Sequence, residues 1–330
     1  METLYADIRT ELIARRTKLE NFATADRDPQ NVIHLLHEVD DALKRMDAGS
    51  YGLCEECHEP IERNRLAVNP LLRFCLDHLT RGQREALEQD LILASRVQRT
   101  LLPQQSLSFR GWDIAYLYLP LGPVSGDYCD VVTQEENSND LFFLLGDVAG
   151  KGVAASMLMA HLHAIFRSLI AIGLPVGQLL TRANRIFCES IMPGSFATLI
   201  CGRSGANGNI EICNAGHCPL LLVRGKEVTS IAASGLPLGM FCVETYPSRK
   251  LQLAPGDTLV LYTDGLSEAR NTSQIEYGTD RLSILLTENS GAHPQALVER
   301  CVKDLAAFLE GAPRTDDLTI MAIKWTGVLS

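Results

Sequence analysis

The sequence predicts an α+β protein in which packed antiparallel sheets are covered by helices, preceded by a helical hairpin and a small metal knuckle. Three observations carry that expectation. From Trp112 onward, short β-rich runs (DIAYLYLPL, NDLFFLLGDV, SFATLICG, DTLVLYTDG and DLTIMAIKW) are separated by Gly, Pro, Asn and Asp. They are grouped, without the regular alternation with helices that marks a doubly wound parallel sheet. Before Trp112 the apolar residues recur at helical spacing instead, and between the two regimes sits a cluster of cysteines.

Taken in order, Tyr5, Ile8, Leu12 and Leu19 form one helical stripe, and Val32, Leu36, Val39, Leu43 and Met46 form a second. The break TADRDPQN, with Pro29 and turn-forming acids, ends one helix and starts the next, so the stripes should zip into an antiparallel hairpin. Each arm would be about 27 Å long at a rise of roughly 1.5 Å per residue. Gly49 and Gly52 stop the second helix. A third helix, from Arg84 to Leu102, places Leu87, Leu91, Ala94, Gln98 and Leu101 at heptad spacing until Pro103 breaks it. It reads as a connector and dimer seam, with the polar Gln98 specifying the pairing. Further helices are expected at 152–170, 176–190 and 294–310.

At 330 residues the chain exceeds the size at which one core stops growing, so two unequal folded units are expected. The formal charge of −10 leaves no basic stripe for nucleic-acid phosphates, which excludes nucleic acid as a direct ligand. METLYADIRTELIARR mixes charges of both signs without an apolar stretch, so no signal peptide is expected. The most apolar window, Gly152 to Pro175, carries His161, His163 and Arg167 and reads as a buried helix rather than a membrane span. A cytoplasmic protein is expected, with its ten cysteines as reduced thiols or metal ligands rather than a disulfide framework.

The metal ligands are marked by spacing. Cys54 and Cys57 form a CxxC knuckle, and Cys75 with His78 forms a second pair after seventeen intervening residues. Four such ligands close a tetrahedral, structural zinc site with no open catalytic position. The segment GSYGLCEECHEPIERNRLAVNPLLRFCLDHL resembles the DksA/TraR zinc finger, whose fourth ligand is usually Cys where this chain has His78. Members of that family act on RNA polymerase through a long hairpin with acidic tip residues. Asp26 and Asp28 occupy the tip here, but the arms are short for that use, and a dimerising or signal-receiving module is favoured.

The chemistry is carried by aspartates. VSGDYCD, LFFLLGDVAGKG, DTLVLYTDG and RTDDLTIMAI each set Asp against an apolar strand. Strands run into Asp147 and Asp264, another leaves Asp316 and Asp317, and Asp127 is expected in a glycine-marked turn. Carboxylates fixed close together repel unless a cation neutralises them. Oxygen-only ligation favours magnesium or manganese, and paired ions about 3.5 to 4 Å apart suit phosphate-ester hydrolysis. A nucleotide loop is excluded, because GDVAGKG has three residues between its glycines and Gly152 after Lys151, where a Walker loop needs four and then Ser or Thr.

These segments resemble, in order, the SpoIIE/RsbU branch of PPM-type protein phosphatases, over roughly residues 85 to 327. The matching pieces are AxxxQxxLLP (Ala94 to Pro103), SGDYCD (Ser125 to Asp130), GDVAGKG (Gly146 to Gly152), FATL (Phe196 to Leu199) and NAGHCPLLL (Asn214 to Leu222). GLPLGM (Gly235 to Met240), PGDTLVLYTDGLSEA (Pro255 to Ala269) and DDLT (Asp316 to Thr319) complete the series. The resemblance implies a β-sandwich flanked by helices, with two Mn2+ or Mg2+ ions at one edge. It implies that Asp147 bridges both ions, that the Val148 carbonyl completes one, and that Asp264 with Asp316 holds the other. Asp127 would ligate through an oxygen or a bound water, and Asp317 is the alternative to Asp316. It further implies serine/threonine phosphatase activity toward a phosphorylated protein, such as a STAS-domain anti-sigma factor antagonist in bacterial partner switching.

The resulting division is a hairpin at 1–50, a zinc finger at 51–80, a linker helix at 81–104 and a phosphatase domain at 105–330. Two departures stand out. Cys129 replaces an aromatic common in relatives, and Ala149 stands near where eukaryotic relatives place a histidine thought to be the general acid. Leaving-group protonation then falls to a metal-bound water or to His217, although NAGHCP also reads as a strand-ending turn. Lys151 reads either as a phosphoryl-attracting group or as a solvated lysine at a helix start. Substrate contacts are expected around Gln134 to Asn139 and Asn271 to Arg281. The competing function is a zinc-ribbon regulator that binds RNA polymerase or another protein and carries an inactive phosphatase-like domain.

Overall fold

A computed structural model describes residues 2–23, 29–78, 81–134 and 140–327. The chain divides into two compact units, 1–90 and 91–330. The expected hairpin tip with Asp26 and Asp28, and most of the expected contact loop after Gln134, lie outside the described residues.

In the first unit, helices α1 (Glu2–Ala23) and α2 (Pro29–Asp47) pack through the fully buried Leu12, Val39 and Ala42. That core does not stop at the hairpin. Tyr51, Cys54, Ile61, Leu66 and Cys75 continue it, so hairpin and finger share one apolar cluster. Arg45 of α2 donates to the carbonyls of Leu72 (2.9 Å) and Leu71 (3.3 Å), and Tyr51 Oη donates to Pro70 O (2.8 Å). Each closes a backbone acceptor in the irregular segment that follows the short helix α3 (Arg63–Val68).

The second unit is a sandwich of two antiparallel sheets. One runs in the order β1 (Ser106–Phe109), β2 (Trp112–Leu119), β11 (Leu318–Trp325), β10 (Thr258–Tyr262), β7 (Leu220–Arg224), β8 (Glu227–Ile231). The other runs β3 (Asp127–Gln134), β4 (Asp140–Val148), β5 (Ala197–Ser204), β6 (Asn209–Ala215), β9 (Arg249–Gln252). Side-chain alternation explains the layering. Leu141, Phe143 and Leu145 of β4 enter the layer between the sheets with Leu259, Leu261, Met321 and Ile323. Phe142 and Leu144 point the other way, against Phe166 and Leu169 of α5 (Gly152–Ile170) and Leu179 and Phe187 of α6 (Val176–Ser190). Because both faces of β4 are buried, its sequence is a continuous apolar run. On the far side, α8 (Gly278–Glu288) covers β7 and β8 through Leu282 and Leu286, and α9 (Pro294–Leu309) covers β2 and β11 through Leu297 and Leu305. Helix α5 is long and apolar enough to cross a membrane by composition, yet its apolar side packs on β3 and β4.

Three expectations are corrected. Asp127 opens strand β3 and pairs in register with Asp147 of β4; it does not sit in a turn. Gln98, on the connector α4 (Arg81–Leu101), is not on a dimer seam but buried in its own unit. Its Nε2 donates to Ser125 O (2.7 Å), and its Oε1 accepts from Ser125 N–H (3.0 Å). The apolar face that α4 leaves exposed is Ile92, Leu93 and Val97. Lastly, Cys188 of α6 and Cys242 are joined as a disulfide with Cα atoms 5.6 Å apart, so not all thiols outside the finger are free. A separation of 54 residues gave no spacing signal for that pair.

Candidate metal centres

The zinc knuckle comes together as its spacing predicts. Ligand atoms of Cys54, Cys57, Cys75 and His78 all lie within 4.8 Å of one another. Cys57 Sγ and Cys75 Sγ are 3.8 Å apart, the edge of a tetrahedron built on zinc–sulfur bonds of about 2.3 Å, and His78 Nδ1 is 3.2 Å from Cys75 Sγ. Burial alone would raise the Cys54 thiol. Backbone N–H groups of Cys57, Cys75 and Glu56 outweigh it and hold the thiol at about 6, so the chain already favours the thiolate that zinc requires. The donor set fits Zn2+.

The acidic centre is built half from each sheet. Asp127 and Asp147 stand opposite each other at the ends of β3 and β4. Asp264 begins the one-turn helix α7 (Asp264–Ser267) directly after β10, and Asp316 precedes β11. A cavity of about 410 Å3 is lined by Asp147, Asp264, Asp316 and Glu268, with Lys151, Thr198 and His217 also on its wall. Asp127 lies behind it, buried, and its Oδ2 accepts from Thr263 Oγ1 (3.1 Å) and Thr319 Oγ1 (2.5 Å). Asp317 points away from the cavity: its carboxylate accepts the N–H groups of Leu121 (2.6 Å) and Gly126 (3.0 Å) and pins the loop that leads into β3. The neighbours that spacing left equivalent therefore differ, Asp316 facing the cavity and Asp317 holding backbone.

Electrostatics show what the cluster lacks. Burial, and then the charges of Asp264, Asp316 and Asp317, push Asp147 up to about 7. Burial and Asp316 raise Asp264, and burial with Asp147 raises Asp127 well above the carboxylate range. Crowded carboxylates of this kind are relieved by hard cations. Gly126 leaves room for one: a Cβ there would come 3.0 Å from Val148 O and 3.4 Å from Asp147 Oδ1, filling the space beside both oxygens. An all-oxygen set with such a cradle fits Mn2+ or Mg2+.

His217 resolves to the turn reading. It is 5% exposed; its Nε2 donates to Tyr262 O (3.1 Å), leaving Nδ1 to accept from Thr198 Oγ1 (2.7 Å). Burial lowers it to about 4, so at neutral pH the ring is not the imidazolium that a general acid requires, and its one N–H is committed to Tyr262 O.

A further group escaped the sequence reading. Asp130, the second acid of SGDYCD, is completely buried and takes a two-pronged bond from Arg167 of α5, Nε at 2.8 Å and Nη2 at 2.6 Å. Tyr128 Oη (3.3 Å) and the N–H of Val131 (2.8 Å) also donate to it, and His163 Nδ1 lies 3.5 Å away. The available signal was the lone arginine in an otherwise apolar helix, which marks a buried partner.

The sandwich and its acid-lined edge define a PP2C-like domain. The SiaA-PP2C domain of Pseudomonas aeruginosa superposes with a TM-score of 0.63 over 73% of this chain and 98% of that one, at 21% identity, a likeness of fold. The chain belongs to the family described as Stage II sporulation protein E (SpoIIE), whose profile matches residues 137–326. Phosphoserine phosphatase RsbU of Bacillus subtilis is 28% identical over 256 residues, 75% of this chain and 74% of RsbU. Protein IcfG of Synechocystis sp. is 26% identical over 257 residues, 69% of this chain but only 40% of IcfG. Residues 49–77 match the prokaryotic dksA/traR C4-type zinc finger; here the fourth position is His78, one residue beyond the matched span.

Proposed function

We propose that this chain is a cytoplasmic, manganese- or magnesium-dependent protein serine/threonine phosphatase with a structural zinc finger. The observation that carries the reading is the convergence of Asp147, Asp264 and Asp316, from two sheets, on one cavity backed by Asp127. Two divalent cations would be held there, Asp147 reaching both, the Val148 carbonyl serving one, and Asp264 with Asp316 serving the other. When bound, they supply charge neutralisation and an activated water for attack on a phosphoryl group. The chain supplies rigidity: Asp317 and Gln98 fix the loop before β3, and Thr263 and Thr319 orient Asp127.

The substrate is a phosphoserine or phosphothreonine on a folded regulatory protein, such as a STAS-domain anti-sigma factor antagonist. The similarity to a phosphoserine phosphatase across three quarters of both chains supports this. An inactive domain carried by a polymerase-binding zinc ribbon is not favoured, a reading supported by Asp147, Asp264 and Asp316 lining one cavity. The division into hairpin, finger, linker helix and phosphatase domain is part of the same proposal. Manganese-dependent release of phosphate from an aryl phosphate tests the activity, and no turnover in metal-replete buffer refutes it. Equal catalytic efficiency on a phosphopeptide and on its intact parent protein would refute a folded substrate.

Homodimerisation through α4 belongs to the same reading, supported by the exposed Leu93 (59%) and Val97 (56%) one turn apart. Val97→Glu should shift sedimentation from dimer to monomer. A monomeric wild type at high micromolar concentration refutes it.

A further inference from the structure

We propose that Lys151 binds the phosphoryl group of the substrate and is held, before that, on Asp316. The inference rests on the phosphatase reading and extends it to a residue outside the carboxylate set. Lys151 Nζ lies 2.8 Å from Asp316 Oδ2 and 2.8 Å from Thr315 O. It is the one cationic side chain among the described residues that line the cavity, since His217 is neutral there and no arginine reaches the wall.

Charge makes that cation necessary. Asp147, Asp264, Glu268 and Asp316 place four carboxylates on the wall, and two divalent cations only neutralise them. A phosphomonoester carries close to two negative charges at neutral pH. Without a further positive group the wall carries no excess positive charge to draw it in, and Lys151 provides one at the cavity mouth.

The lysine is also built to change partners. Its side chain is 60% exposed, and an ion pair so open to water is weak, so leaving Asp316 costs little. Its neighbours Gly150 (φ +109°) and Gly152 (φ +73°) have nothing within 4 Å of where a Cβ would stand, so nothing is packed against this turn. A cation on Asp316 and the ammonium compete for the same carboxylate. Once displaced, the ammonium remains tethered at the start of α5, over the cavity it lines, with three donors for phosphoryl oxygens.

Two binding constants decide the matter, measured by calorimetry on the full-length, zinc-loaded protein: Mn2+ alone, then inorganic phosphate to the Mn2+-loaded form. For Lys151→Met, phosphate affinity should fall at least tenfold and KM for the phosphoprotein should rise, while Mn2+ affinity stays equal or tightens because a competing cation is gone. Lys151→Arg should recover much of the phosphate affinity. Unchanged phosphate affinity in Lys151→Met overturns the proposal. So does a parallel loss of Mn2+ affinity, which would make the lysine a scaffold for the acids. If the wild type binds phosphate but hydrolyses no phosphoprotein, the phosphatase reading falls, and Lys151 is still judged by the phosphate constants.

Discussion

Arg167→Leu removes the guanidinium that pairs with Asp130 and leaves a fully buried carboxylate with Tyr128 Oη, one backbone N–H and, at 3.5 Å, the His163 ring. Breaking a buried pair from one side costs about 3 to 5 kcal/mol, because the remaining charge keeps its desolvation penalty without the compensating attraction. For a unit the size of 91–330, where each kcal/mol moves Tm by about 2 to 4 °C, the expected drop is about 6 to 20 °C. The assay is built into the chain. Its two tryptophans, Trp112 and Trp325, meet at a tilt of 44° with ring centres 4.8 Å apart inside the sandwich, so their fluorescence follows the second unit alone. Asp130→Asn combined with Arg167→Leu should recover part of the loss, since the double variant no longer buries a charge. A fall below 2 °C for Arg167→Leu, or a double variant as unstable as the two singles added, would refute the account.

Other consequences follow from the two centres. Asp147→Asn should abolish manganese-dependent turnover and leave the tryptophan-monitored Tm within a few degrees; near-normal turnover would falsify its bridging role. Cys54→Ser should unfold the hairpin together with the finger, because they share one core, while the tryptophan transition stays in place. A hairpin that keeps its helical signal would contradict that shared core. His217 has a folded-state value depressed from 6.5 to about 4, so its contribution is present above 6.5 and is lost as pH falls through 4. At 1.36 kcal/mol per unit, about 3 kcal/mol disappears between pH 7 and 4. The stability gap between wild type and His217→Gln should shrink by that amount, and a gap independent of pH would show that the folded state does not depress the His217 pKa.

The sequence exposed the sandwich wherever strands are buried on both faces. LFFLLGDV and DTLVLYTDG announce themselves because hydrophobicity and a terminal acid coincide. Strand β3 was hidden for the opposite reason. DYCDVVTQ carries two aspartates, one facing the acidic centre and one answered by an arginine from α5, and partners from elsewhere in the fold are not written in local pattern. Gln98 misled through periodicity: its heptad position was right, but the surface it meets is the Ser125 backbone rather than a second helix. The finger was legible because its ligands are close in sequence. Cys188 and Cys242 were not, since only the packing of the 236–243 segment on α6 brings them together.

The division of the acidic centre between two sheets has a consequence for how the protein is made. Asp127 and Asp147 reach their places when β3 pairs with β4, whereas Asp264 and Asp316 do so only when β10 pairs with β11 at the far end of the chain. No half-folded chain, and no truncation before Leu318, can assemble the set. Divalent cations that bind there bind the finished sandwich and not its parts, so they stabilise the whole by mass action. A chain that has not closed both sheets therefore lacks the assembled set of acids, whatever the state of its separate halves.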